Sequence, residues 1–129
     1  MKTEIELVNK KEFELDYELK SKFKVGNTFK VVEKKNVLGY VEFNIDKKRM
    51  HIENIVATNR GIGYGKKIIE KLFQKYRDVE VMTGYAILEP STFWVSLGAE
   101  FAWEVTEDDY AGVYFELKRE RVRWDSENE

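Results

Sequence analysis

The sequence predicts an α/β (α+β) fold, with a mixed, mostly antiparallel central sheet flanked by helices. Three observations carry that expectation. Several short segments alternate apolar and polar residues with a period of two, as in Val79, Val81, Thr83, Tyr85 and Ile87. One segment, Lys66–Tyr76, has the helical period instead: Ile68, Ile69, Leu72, Phe73 and Tyr76 form one face, with Lys66, Lys67, Glu70, Lys71 and Lys75 outside it. A tight glycine stretch, Arg60–Gly65, joins a strand, Met50–Ala57, directly to that helix.

In chain order, Thr3–Val8 is a short alternating strand. The stretch after it is ambiguous. Phe13, Leu15, Tyr17, Leu19, Phe23 and Val25 fit a period of two, but Phe13/Tyr17 and Leu15/Leu19/Phe23 are also four apart among good helix formers. A helix over Lys11–Lys20 is the reading taken. Thr28–Glu33 and Val37–Ile45 are strands joined by a Lys34-Lys35-Asn36 turn. Asp46–Arg49 turns the chain into Met50–Ala57, which completes an antiparallel meander. Val79–Leu88 is the next strand, with Gly84 marking a bulge or a close approach. Pro90 opens a turn, Ser91 or Thr92 caps a short helix Phe93–Leu97, and Gly98 stops it. Phe101–Thr106 and Gly112–Lys118 close the sheet around Glu107-Asp108-Asp109, and a charge-rich tail from about Arg119 is expected to fray.

The chain has 129 residues, which suits a single domain over residues 1–129. Its net charge of −2 comes from interspersed signs, without a polybasic block, so nucleic acid is disfavoured as a partner. Cysteine is absent, which removes disulfides, zinc–thiolate sites and cysteine nucleophiles. The single histidine, His51, cannot build a multi-histidine metal site, so no metal is expected. No apolar run reaches membrane-span length, and the first residues lack a signal peptide's apolar region. A cytoplasmic monomer or homodimer, with no membrane partner, is the expectation.

The glycine stretch points to chemistry. Gly61, Gly63 and Gly65 permit positive φ and let a ligand approach the backbone. The helix that follows offers amides without intrahelical partners and a positive dipole end, and Arg60 and Lys66 add charge. Together these suit an anion. A plain turn would not need three glycines in five residues. The P-loop pattern fails, because Arg60 stands where its first Gly belongs and Lys67 where Ser or Thr belongs. The dinucleotide pattern fails at Lys66, where its third Gly belongs.

Arg60-Gly61-Ile62-Gly63-Tyr64-Gly65 resembles the pyrophosphate-binding signature (Gln/Arg)-x-x-Gly-x-(Gly/Ala) of the GNAT superfamily, the acyl-CoA-dependent N-acetyltransferases. Phe93-Trp94-Val95-Ser96-Leu97-Gly98-Ala99-Glu100-Phe101 is similar to that family's late helix and its exit. The resemblance runs from about Leu38 to Phe101. It implies a GNAT-like sheet, splayed between the fourth and fifth strands, that takes acetyl-CoA as co-substrate. It implies that amides of Ile62, Gly63, Tyr64, Gly65 and Lys66 hold the pyrophosphate, assisted by Arg60 and Gly61. Backbone at Ile55, Val56 and Ala57 would pair with the pantetheine arm. The link from Val56 to Arg60 is shorter than the family's usual one and lacks its usual proline.

The resemblance also offers Glu53 as general base. A strand-interior carboxylate would gain proton affinity useful for that role; the other reading of Glu53 is a solvated strand-face glutamate paired with a lysine of a neighbouring strand. His51, two residues away, is a second candidate. The family's usual acid is a tyrosine after the late-helix phenylalanine, and here Trp94 stands there. Indole N–H cannot serve as that acid. Tyr85 is the candidate in its place, with Tyr110, Tyr114 or water as alternatives, and Trp94 is left to pack on the cofactor arm or in the core. The function expected is N-acetyl transfer to a primary amine by direct attack. The alternative is a non-catalytic CoA-binding module that has lost the acid. The acceptor itself is not identified by any motif.

Overall fold

The computed structural model describes residues 3–16, 19–20, 23, 26–58, 63–86, 91–102 and 113–122. In order, the elements are β1 (Thr3–Leu7), α1 (Lys10–Leu15), β2 (Thr28–Glu33), β3 (Asn36–Asp46), β4 (Arg49–Ala57), α2 (Tyr64–Lys75), β5 (Val81–Ala86), α3 (Ser91–Leu97), β6 (Glu100–Ala102), β7 (Val113–Lys118) and a 3₁₀ turn at Arg119–Arg121. The strands form one mixed sheet in the order β1-β2-β3-β4-β5-β7-β6. The pairs β1/β2, β2/β3, β5/β7 and β6/β7 are antiparallel, and β4/β5 is parallel. The parallel register runs from Arg49–Val81 to His51–Thr83, whereas β4 continues to Ala57 and β5 to Ala86. The chain forms two compact units: residues 1–44 with 52–75, and 45–51 with 76–129.

In the first unit, Asn9 Oδ1 accepts the Glu12 amide at 2.7 Å and so caps α1. The single helix expected over Lys11–Lys20 is broken. Asp16 accepts the Leu19 amide at 3.2 Å and starts a new helical turn, in which Phe23 N–H bonds to Leu19 O at 2.9 Å. An aspartate that captures backbone amides competes with helix continuation. The helical spacing still governs packing: Leu19 and Phe23, four apart, are buried with Val8, while Leu15 is 80 % exposed. Lys34 and Lys35 turn β2 into β3, both at positive φ (50° and 67°), as a two-residue hairpin requires. Asn36, expected in the turn, pairs with Glu33.

Helix α2 buries Ile68, Ile69, Leu72 and Phe73 completely, which is the face expected. Each side chain of this size contributes about 1.5–3 kcal/mol by leaving water. Glu70, expected on the outer face, is also buried. No buried side-chain N or O of the described residues lacks a hydrogen-bond partner, so the cost of a buried polar group is offset.

In the second unit, β5 and β7 keep an unbroken register from Val81–Lys118 to Ala86–Val113. There is therefore no bulge at Gly84. Met82, Phe115, Leu117, Trp94, Leu97 and Val122 are buried core residues. Helix α3 starts at Ser91 and ends as expected at Gly98, which lies at φ 105°. Gly98 N–H bonds to Val95 O and Ala99 N–H to Trp94 O, both at 3.0 Å, a Schellman termination. Of the tail expected to fray, residues 123–129 lie outside the described residues, while Arg119 is held. Its Nε and Nη2 donate to Val79 O (2.8 Å) and Tyr76 O (2.9 Å), and Val122 is buried. The Tyr110 candidate and the Glu107-Asp108-Asp109 stretch lie outside the described residues.

Candidate functional site

Strand β4 leads to the glycine stretch, and its end is pinned. Thr58 N–H bonds to Leu38 O at 2.9 Å, and Thr58 Oγ1 donates to Val37 O at 2.7 Å. Arg60, Gly61 and Ile62 lie outside the described residues. Gly63 lies at φ 82°, in the left-handed region, and its carbonyl accepts the Lys67 amide at 3.1 Å. It is thus the residue on which α2 starts. The helix begins two residues before the expected Lys66, so Tyr64, Gly65 and Lys66 form its opening turn. The amides of such a turn have no intrahelical acceptor, and the dipole favours an anion beside them. A Cβ placed on Gly63 would meet nothing within 4 Å, so this position needs glycine for its φ and not for room.

Ile55, Val56 and Ala57 are half-buried. Glu53 Oε1 accepts from Asn44 Nδ2 at 3.5 Å, while Val56 packs with Tyr40 against Val8, Leu19 and Phe23. Glu53 is exposed, which is the solvated strand-face setting of the two weighed for it, so burial supplies no argument for a base.

The second unit holds the other candidates. His51 Nδ1 lies 3.0 Å from Thr83 Oγ1, across the last pair of the parallel register. The His51 ring meets Tyr85 edge-on at 6.3 Å, and Tyr85 meets Tyr114 at 5.6 Å. Arg49 Nη2 donates to Tyr114 Oη at 3.0 Å and to Glu116 Oε2 at 2.8 Å. The bond to Glu116, then that to Tyr114, raises the Arg49 pKa above its ordinary value. Tyr85 is 55 % exposed. Of the two settings weighed for Trp94, the structure has the core: it is 4 % exposed and stacks on Phe115 at 4.0 Å. A flat apolar ring that finds a parallel partner inside the unit is buried there.

The structure thus brings Glu53, Ile55–Ala57 and Gly63–Lys66 into the first unit, and His51 and Tyr85 into the second. Arg49, Thr83, Glu116, Asp16 and Tyr40 were missed by sequence reasoning. The alternation Arg49/His51 and Tyr114/Glu116 signals shared faces, but only the strand register puts those faces together. Among the described residues, no group of three or more His, Asp or Glu could hold a metal ion. No helix among them is long and apolar enough to cross a membrane.

The fold is that of the GNAT N-acetyltransferases. The Escherichia coli ribosomal-protein-S18-alanine N-acetyltransferase superposes with a TM-score of 0.64 at 13 % identity, covering 99 % of this chain and 99 % of its own. Arabidopsis thaliana Naa50, in complex with the bisubstrate analogue CoA-Ac-MVNAL, gives 0.60 at 14 % identity over 88 % of this chain and 96 % of its own. Neisseria gonorrhoeae N-acetylglutamate synthase, complexed with coenzyme A and N-acetyl-glutamate, gives 0.61 at 11 % identity over 95 % of this chain and 36 % of its own. At these identities the likeness is one of fold. No protein-family model matches the sequence, and no curated protein does either.

Proposed function

We propose that this chain is an N-acetyltransferase that moves an acetyl group from acetyl-CoA to a primary amine. The observation that carries the reading is the left-handed Gly63 opening α2 directly after β4, in a fold shared with transferases that bind CoA compounds. The amides of Tyr64, Gly65 and Lys66 receive the pyrophosphate, and the positive charge that Arg60 brings to the glycine stretch favours the anion. Backbone of Ile55–Ala57 pairs with the pantetheine arm. Backbone N–H groups of β4 polarise the thioester carbonyl. The amine nitrogen forms the C–N bond as the C–S bond breaks, and no residue of this chain is acylated. Glu53, exposed to solvent, takes the ammonium proton through water, and Tyr85 is the candidate for returning a proton to the departing thiolate. Positioning of the two reactants supplies much of the rate.

The test is release of free CoA from acetyl-CoA in the presence of a panel of primary amines. Amine-dependent release supports the reading. A second reading, a CoA-binding module without turnover, draws on the burial of Trp94, which leaves no phenol at the family's acid position. Acetyl-CoA binding without release by any amine would select it.

A further inference from the structure

The two parts of the cofactor site in the first unit hang from different anchors. Helix α2 is fixed by its fully buried Ile68, Ile69, Leu72 and Phe73. The end of β4, Ile55–Ala57, is only half-buried. The ladder from β4 to β5 ends at His51–Thr83, so the strand end is steadied from the β3 side. We propose that Thr58 is a positioning residue that sets the spacing between the strand end that takes the pantetheine arm and the helix start that takes the pyrophosphate. The proposal rests on the acyltransferase reading and adds a residue to its site.

Thr58 is the first residue beyond β4, where the chain leaves the sheet. Its amide bonds to Leu38 O at 2.9 Å and continues the pairing by one step. Its hydroxyl lies 2.7 Å from Val37 O and 3.1 Å from Leu38 O, so one hydrogen is shared between two successive carbonyls of β3. The anchor is firm: Val37 pairs with Val32 on β2, and Leu38 is 2 % exposed. A strand end with few buried contacts would otherwise open locally. Thr58 itself is exposed, so its methyl group buries little and the hydroxyl is the part of the side chain that acts.

Spacing matters because the ligand is held at two points. A molecule with two linked parts gains over either part only while both can engage at once. In CoA the pantetheine arm and the pyrophosphate are joined covalently, so a β4 end that drifts from β3 seats one part at the expense of the other. Only residues 59–62 separate Thr58 from Gly63, on which α2 starts at φ 82°. Bonding Thr58 to β3 fixes the near end of that short link, and the buried face of α2 fixes the far end. Each part of the ligand alone is indifferent to the spacing. The coupling is also reciprocal: if the Thr58 bonds favour CoA, CoA favours the Thr58 bonds.

Thr58→Val keeps the shape and removes the hydroxyl, and Thr58→Ser keeps the hydroxyl. Calorimetry with CoA, and NMR titration with pantetheine and with inorganic pyrophosphate, compare both variants with the wild type. Thr58→Val should raise the Kd for CoA about fivefold, the net scale of one hydrogen bond. Thr58→Ser should stay near the wild type. Pantetheine and pyrophosphate should each bind the wild type and both variants alike. An unchanged Kd for CoA in Thr58→Val overturns the proposal. So does an equal loss for both fragments, because the hydroxyl would then serve the fold alone, and so does a Thr58→Ser as weak as Thr58→Val. Hydrogen exchange in the wild type adds a measurement that needs no variant. CoA should slow exchange of the Thr58 amide by more than that of the Val8 amide, which bonds to Thr28 O at 2.9 Å in the same unit. Equal slowing at the two amides overturns the proposal. Failure of the wild type to bind CoA removes the acyltransferase reading itself, and the proposal with it.

Discussion

Gly39 and Val56 meet backbone to backbone: a Cβ on Gly39 would strike the Val56 carbonyl oxygen and lie 2.6 Å from Ile68 Cδ1 and 3.0 Å from Ala57 Cα. One absent methyl group thus sets how closely β3 lies to the end of β4 and to α2. Gly39→Ala should lower unfolding free energy by about 1–3 kcal/mol, the usual scale for overpacking. It should also weaken CoA binding, because relief requires movement at Val56 and Ala57. Denaturant melts and a CoA titration on the same variant check both. A variant of wild-type stability would mean that the strands separate without cost.

Gly63 is the opposite case, with open space and a demanding φ of 82°. Gly63→Ala should cost about 1–2 kcal/mol for the left-handed conformation. Gly63→Asn should cost less, since asparagine tolerates that region. CoA affinity should follow the same order, glycine above asparagine above alanine. Equal affinity for all three would make the loop a turn and nothing more.

These two glycines show how far the sequence could be read. Gly63 was legible because a glycine between a strand and a helix is a local signal. Gly39 carried no signal, since its neighbours lie on β4 and α2, distant in sequence. The helix face of α2 followed from its period, yet Glu70 was misplaced because the period cannot show what covers an outer face. The break at Asp16 was hidden by two competing periodicities. His51, Tyr85 and Trp94 stood out as residue types, but their neighbours Thr83, Tyr114 and Phe115 depend on strand register and helix docking.

Arg119 closes the second unit by donating to Tyr76 O and Val79 O at 2.9 and 2.8 Å. Arg119→Ala removes both donors and should destabilise by about 1–3 kcal/mol, the cost of leaving such acceptors unsatisfied. Lysine cannot reproduce the two-point geometry and should recover only part. Truncation after Lys118 should be at least as harmful. A stability change under a few tenths of a kcal/mol in Arg119→Ala would return the tail to the frayed state that composition suggests.

Tyr76 gives a pH prediction. Burial raises its phenol pKa above the ordinary 10.0. The folded state therefore holds that proton more tightly than the unfolded chain. The corresponding stability is fully present below pH 10.0 and is lost as pH rises from there through the folded pKa. Urea unfolding at pH 9 and pH 11 should show a drop between these values. Tyr76→Phe should drop less, having no phenol to ionise. An identical pH dependence in the variant would remove Tyr76 from the alkaline transition.

The last prediction concerns the proton acceptor. Glu53 is exposed and touches Asn44, while His51 is half-buried with Nδ1 at 3.0 Å from Thr83 Oγ1. With Glu53 as base through water, Glu53→Gln should reduce turnover on the order of 10²-fold, the lower end for a positioned proton acceptor. Acetyl-CoA affinity should not change, because a base that reaches the amine through water makes no contact with the cofactor on this reading. The acidic limb of the pH–rate profile should disappear, since that limb reports deprotonation of the base in the free enzyme. His51→Gln should keep that limb and lose less rate. The opposite result, with the limb intact in Glu53→Gln and absent in His51→Gln, moves the role to His51. Thr83→Val then becomes the informative variant. It removes the hydroxyl beside Nδ1, so a ring oriented by that contact should show a shifted limb and a ring held by packing alone should not.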